Sequence, residues 1–145
     1  MKMSTKGRYG LRVMVELAAQ HGRGVVQVDS IAKNQQISAN YIHVIVGALK
    51  SAGLVRAVRG PSGGVELARP PDRITAREVI DAVEGDAPVE CVTCATACQR
   101  SGNCVTRELW SEVHQAVQKV LGGHTLEQLA ARQRAYDAPA PMFHI

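Results

Sequence analysis

The sequence predicts a mainly α-helical fold with a small β wing: a winged helix-turn-helix followed by a long C-terminal dimerisation helix. Three observations carry this expectation. Two amphipathic helical patterns flank a short one within the first 52 residues. A glycine-rich connector then joins two short alternating runs, the pattern of a hairpin. Beyond a loop rich in cysteine, a helical pattern runs from Cys104 to about Leu121 with apolar residues on two flanks.

Residues 5–20 place Leu11, Met14, Val15 and Ala18 at helical spacing, and His21-Gly22-Arg23-Gly24 closes that helix. Residues 25–28 suffice for a strand stub, after which Asp29 is expected to cap a short helix to about Asn34 with Ile31 and Ala32 inward. Ser38 is the expected N-cap of a helix over about 39–52. Its inward stripe is Ile42, Ile45, Val46 and Leu49, and its outward face is Ala39, Asn40, His43, Val44 and Gly47. Residues 54–58 and 65–68 read as strands joined by Arg59-Gly60-Pro61-Ser62-Gly63-Gly64. Pro70-Pro71 breaks the chain, and Thr75 opens a helix to about Glu84 that buries Val79, Ile80 and Val83. Residues 85–103 carry no helical period and read as a loop. In the long helix, Leu109, Val113, Ala116 and Val120 form one flank and Trp110, Val117 and Leu121 the other, so one flank is expected to meet a second copy. Thr125 starts a last short helix. The implied organisation is 1–70 winged helix-turn-helix, 71–87 connecting helix, 88–104 cysteine loop, 104–136 dimerisation helix with a short C-terminal helix, and 137–145 flexible tail.

Composition narrows the function. The 145 residues are 46% hydrophobic and 21% charged, ordinary for a folded domain. Aromatics make up only 3%, which disfavours base-stacking binders of single strands. No apolar run approaches the roughly 18 residues of a membrane span, and the polar start lacks a signal-peptide core, so a cytoplasmic protein without a membrane partner is expected. Residues 1–59 hold nine Lys or Arg and two acids, a net of +7, whereas residues 60–145 carry −3. An anionic partner for the first half follows. No nucleophile–base constellation is visible, so neither an enzyme nor a small-molecule substrate is expected.

This fold and charge suit double-stranded DNA. The helix after Ser38 fits the major groove. Ser38 and Asn40 can bond bases or phosphates, His43 can donate or accept at a base edge, and Val44 can touch a thymine methyl. Arg59, at the hairpin tip, can enter a narrow minor groove. Lys6 is a candidate phosphate contact, and Tyr41 and Ser62 complete the candidate DNA-binding set.

All four cysteines, Cys91, Cys94, Cys98 and Cys104, lie within 14 residues in a C-x2-C-x3-C-x5-C pattern. In a reducing compartment such clustering points to metal or redox chemistry. Thiolates ligate both iron–sulfur clusters and structural zinc. A zinc ribbon shows two C-x2-C knuckles, and only one is present here. The ranking is therefore an iron–sulfur cluster (2Fe-2S or 4Fe-4S), then zinc, then a thiol–disulfide switch, with inert cysteines last.

Several motifs together resemble the IscR/NsrR-type winged-helix regulators. They are Ser4-Thr5-Lys6-Gly7-Arg8-Tyr9-Gly10-Leu11, Ile37-Ser38 with Tyr41-Ile42, Ala52-Gly53-Leu54-Val55, Arg59-Gly60 with Gly63-Gly64, and Leu67-Ala68-Arg69-Pro70. Ala82-Val83-Glu84-Gly85 and Cys104-Val105-Thr106-Arg107-Glu108-Leu109-Trp110 complete them. The resemblance covers about residues 1–130. It implies a homodimer built on the long helix, a roughly two-fold DNA operator, and a cluster-dependent transcriptional regulator. There are departures. His43 stands where an acidic residue is usual. Arg107 stands where one branch of the family has a ligating histidine, and Arg8 stands in the region that supplies an acidic ligand in another. Cys94 is additional to the usual three cysteines; it is either the fourth ligand or a free thiol. The competing readings are a cluster-free thiol redox regulator of the same fold and an iron–sulfur electron carrier.

Overall fold

The computed structural model describes residues 2–85 and 87–142. Its element order is α1 (Thr5–Ala19), α2 (Val28–Gln35), α3 (Ala39–Ser51), β1 (Val55–Val58), β2 (Gly64–Leu67), α4 (Ala76–Glu84), α5 (Glu90–Thr93), α6 (Val105–Gly122) and α7 (Leu126–Asp137), with 3-10 turns at Pro71–Arg73, Ala95–Ala97 and Ser101–Asn103. The expectation of a mainly helical winged helix-turn-helix with a two-stranded antiparallel wing holds. The tail expected over 137–145 lies in part, at 143–145, outside the described residues.

Four helix starts, those of α1, α3, α4 and α7, are capped by a local side chain. Ser4 Oγ accepts the Gly7 N–H at 3.1 Å and Ser38 Oγ accepts the Tyr41 N–H at 3.2 Å, satisfying donors that a first turn leaves unpaired. Thr75 with Glu78 and Thr125 with Gln128 form reciprocal capping boxes at α4 and α7. The expected cap at Asp29 does not form: α2 begins at Val28 with Gln27 as its N-cap, and Asp29 sits inside the first turn, where its charge complements the helix dipole.

The core joins α1, α2, α3, the wing, α4 and α7. Val13, Met14, Ile31, Ile42, Ile45, Leu49, Ile74, Val79 and Leu126 are fully buried in it. All four residues of the inward stripe expected for α3 are buried. On α1 the buried set is Gly7, Gly10, Val13, Met14, Leu17 and Ala18, while Leu11 and Val15 are only half-buried. The expected stripe was thus rotated, because α1 packs against both α4 and α7 and uses two sides.

Three connections shape the molecule. Val26 exchanges backbone bonds with Val65 at 2.9 and 2.8 Å, adding a one-residue third strand to the wing. Gly60, at φ +111°, turns the wing, and its carbonyl accepts the Gly63 N–H at 2.9 Å. After α6 the chain returns. Ala76 N–H bonds the His124 carbonyl and Leu126 N–H bonds the Ile74 carbonyl, both at 2.9 Å, which seats Leu126 and Ala130 in the main core. By contrast α6 has no buried residue over its 18 positions, although it packs on α4 and α5.

Residues 85–103 differ from the expected featureless loop. They hold one helical turn and two 3-10 turns closed by local bonds, including Cys94 N–H to the Glu90 carbonyl at 2.9 Å and Ala97 N–H to the Cys94 carbonyl at 3.1 Å. Three-residue turns bury nothing and leave no periodic pattern in the sequence. Among the described residues no helix is long and apolar enough to cross a membrane.

Candidate nucleic-acid interface and cysteine loop

The outward face of α3 is solvent-exposed, as expected for the candidate reading residues. Asn40, His43 and Val44 are exposed, while the buried stripe behind them fixes the helix. Ser38 is committed through its Oγ to the Tyr41 N–H, so it shapes the helix start as well as offering a hydroxyl. Tyr41 is half-buried, and its ring meets that of Tyr9 edge-on with centroids 6.1 Å apart. That pair joins the start of α3 to the first turns of α1, where Lys6 is half-exposed.

Two residues absent from the sequence-derived set enrich this region. The Arg8 and Arg12 guanidinium carbons lie 5.7 and 5.4 Å from the Tyr9 ring centre, placing cationic charge beside the ring that meets Tyr41. Their i, i+4 spacing was the available signal. Arg12 also closes α2 by donating from Nη2 to the Gln35 carbonyl at 2.8 Å. On the wing, Arg59 and Ser62 are exposed. Ser62 and Pro61 flank a shallow cleft shared with Val25, Gln27, Ser30 and Asn34, so the wing turn leans toward the start of α2.

The cysteines are all free thiols; Cys94 and Cys98 are exposed, Cys91 and Cys104 half-buried. Cys94, Cys98 and Cys104 share extended backbone, each leading into a turn or helix. Cys94 Sγ lies 3.1 Å from the Thr96 hydroxyl and Cys104 Sγ 3.2 Å from the Thr106 hydroxyl, a repeated Cys-x-Thr arrangement. These hydroxyl contacts, helped by backbone N–H groups of the following turn, hold both thiols below their ordinary pKa. The donor set fits an iron–sulfur group by chemistry: four reduced sulfurs on one short surface segment. In this conformation, among the described residues, no three Cys, His, Asp or Glu side chains converge as a metal site.

A three-helix reader with a hairpin wing and a basic first helix defines a DNA-binding transcription factor. The chain matches the model of the Rrf2 family, described as iron-dependent transcriptional regulators, over residues 3–132, and it belongs to that family. It is 42% identical over 150 residues to the HTH-type transcriptional regulator CymR of Bacillus subtilis, covering 100% of both chains. The solved structure of that CymR, a global cysteine regulator, superposes with a TM-score of 0.74 over 91% of this chain and 98% of the other. T. potens IscR superposes at 0.76 with 34% identity, covering 99% and 97%. The oxidised form of Staphylococcus aureus CymR superposes at 0.71 with 38% identity, covering 90% and 96%. Relatives of this kind are named as transcriptional regulators, so the chain is a regulator and not an enzyme.

Proposed function

We propose that this protein is a homodimeric regulator that binds a two-fold duplex operator and whose operator affinity is set by an iron–sulfur cluster on Cys91, Cys94, Cys98 and Cys104. The observation that carries the proposal is the placement of four free thiols between α4, the connecting helix after the wing, and α6, in a chain of an iron-dependent family. When bound, the cluster supplies an oxidant-sensitive cross-link among its ligands. The chain's own residues do the rest. Asn40, His43 and Val44 read base edges. Ser38, Tyr41 and Lys6 hold α3 and α1 on the backbone. Arg59 and Ser62 bring the wing to the adjacent groove. Cys104 is the N-cap of α6 and Cys91 lies in α5, so ligation ties the loop to the long helix.

Anaerobic reconstitution with iron and sulfide, followed by visible absorption and operator titration of loaded and iron-free protein, tests this reading. A cluster band with two distinct operator affinities is expected. Equal affinities overturn regulation by the cluster, because a ligand shifts an equilibrium only through differential binding. Arg59→Ala should weaken specific binding by about 1–3 kcal/mol, whereas Lys6→Ala should lower the salt slope by about one unit on any duplex.

A second reading, a cluster-free thiol sensor, is favoured by one observation: Cys94 is exposed, and the Thr96 hydroxyl beside it holds its thiol below the ordinary pKa. A protein that takes up no iron but changes operator affinity when diamide oxidises its thiols establishes that reading instead.

A further inference from the structure

Arg107 touches both ends of the cysteine segment. Its backbone N–H donates to the Cys104 carbonyl at 3.1 Å, as the first turn of α6 requires. Its side chain turns back, and Nε donates to the Cys91 carbonyl at 2.7 Å, across 16 residues of chain. The contact is part-buried, and the α5 turn that carries Cys91 packs on α6 beside it. Arg107 is not a member of any ion pair among the described residues, unlike Arg56, Arg69, Arg77 and Arg134. Its guanidinium is therefore spent on the loop and not on a carboxylate.

The consequences follow from arginine's chemistry. A guanidinium cannot ligate a metal, but its rigid fork stays charged at every working pH and bonds a carbonyl firmly. It pins Cys91 by its backbone and leaves that residue's thiol free for a ligand role. A site of four thiolates is anionic, and a fixed cation at its edge opposes the mutual repulsion of those ligands. Cys91 and Cys104, the two cysteines tied to Arg107, are also the two that are half-buried.

We infer that Arg107 is the positioning residue of the cysteine loop: it holds Cys91 against the first turn of α6, which Cys104 opens, and so sets the first and last members of the ligand set before any cluster is present. This rests on the cluster reading for its purpose, but the clamp itself is a property of the iron-free chain.

The test uses the full-length wild type, Arg107→Ala and Arg107→Lys, with helix content checked by circular dichroism. In iron-free, reduced protein, hydrogen exchange of the Val92 and Cys94 amides reports the α5 turn. Exchange should rise severalfold in Arg107→Ala, stay unchanged across α1 and the end of α6, and return toward wild type in Arg107→Lys, which keeps a cationic donor. Exchange in Arg107→Ala equal to wild type overturns the clamp. After anaerobic reconstitution, iron loss to ferrozine should be about tenfold faster in Arg107→Ala, with partial rescue by lysine. Loosened exchange with unchanged iron loss overturns the ligand-setting role. A wild type that binds no iron and sulfide fails the cluster reading, and the exchange arm then decides the clamp alone.

Discussion

The Glu84 carboxylate caps α1 from the far end of α4: its Oε1 accepts the Gly7 N–H at 2.9 Å across 77 residues of chain. The same oxygen accepts from the Ser4 backbone N–H at 3.2 Å and from the Ser4 hydroxyl. A negative group at a helix N-terminus is favoured by the dipole, and here it also fixes α4 against α1 immediately before the chain enters the cysteine loop. Gly7 leaves room for this approach: a Cβ there would collide with the Glu84 carboxylate and lie 2.8 Å from Met3 Sδ, so the Glu84 side chain would have to move away from the helix start.

The first prediction is a change of sign. Gly7→Ala gains about 1 kcal/mol of helix propensity but displaces a charge-assisted bond worth about 1.5–3 kcal/mol. A net loss of roughly 1 kcal/mol is expected in wild type. In a Glu84→Ala background the displaced bond no longer exists, and Gly7→Ala should become neutral or stabilising. Urea unfolding of the four proteins of this cycle measures it, and an unchanged effect in both backgrounds refutes the coupling.

The second prediction separates the two faces of α3. Ile42 is fully buried, so Ile42→Ala should cost about 2–5 kcal/mol of stability through the cavity it leaves. His43 is its immediate neighbour and is exposed. His43→Ala should change stability by less than about 0.5 kcal/mol yet weaken specific operator binding by about 1–3 kcal/mol. Unfolding curves and fluorescence anisotropy on matched and scrambled duplexes distinguish the two effects.

Much of this architecture was legible because its causes are local. The burial of Ile42, Ile45, Val46 and Leu49 follows from helical period alone, and Ser38 and Thr75 start their helices through their own hydroxyls. Long-range causes left no trace. Val13 and Leu17 are buried on α1 because α4 and α7 cover it from two sides, and period alone cannot count the neighbours of a helix. The Glu84 cap and the Arg107 clamp join residues 77 and 16 positions apart, with no pattern linking them. The identity of the four cysteines was plain in the sequence; the separation of their sulfurs in this conformation was not.

The third prediction concerns acid. Glu78 closes the capping box of α4 by accepting the Thr75 N–H at 2.8 Å, and it bonds Arg69 at 2.7 Å. Burial alone would raise its carboxyl, but the Arg69 hydrogen bond, the Thr75 N–H, the Arg69 charge and the Thr75 hydroxyl outweigh that and hold it below its ordinary value. A depressed folded-state pKa contributes stability that is present above the unfolded value of about 4.3 and is lost as pH falls through the folded one. The stability difference between wild type and Glu78→Gln, measured by urea unfolding, should therefore be present at about pH 7 and shrink steadily below about pH 4. A difference that grows on acidification contradicts this assignment.

The last prediction concerns the uncovered face of α6. Val105, Leu109 and Val120 are 76%, 55% and 63% exposed, whereas Val113 and Val117 are half-buried. The stripe expected to meet a second copy is therefore centred on Leu109 and Val120, while Val113 and Val117 are partly covered within the chain. In a two-fold interface each substitution is felt twice. Burying a leucine is worth about 1.5–3 kcal/mol, so Leu109→Glu should weaken self-association by at least about 3 kcal/mol, or more than a hundredfold. Its unfolding midpoint, measured on the monomer, should stay close to that of the parent fold. Val117→Glu should lower both association and stability. Sedimentation equilibrium with parallel unfolding curves reads both quantities. A wild-type chain that sediments as a monomer at micromolar concentration removes the interface, and a Leu109→Glu protein that remains dimeric moves it off this stripe.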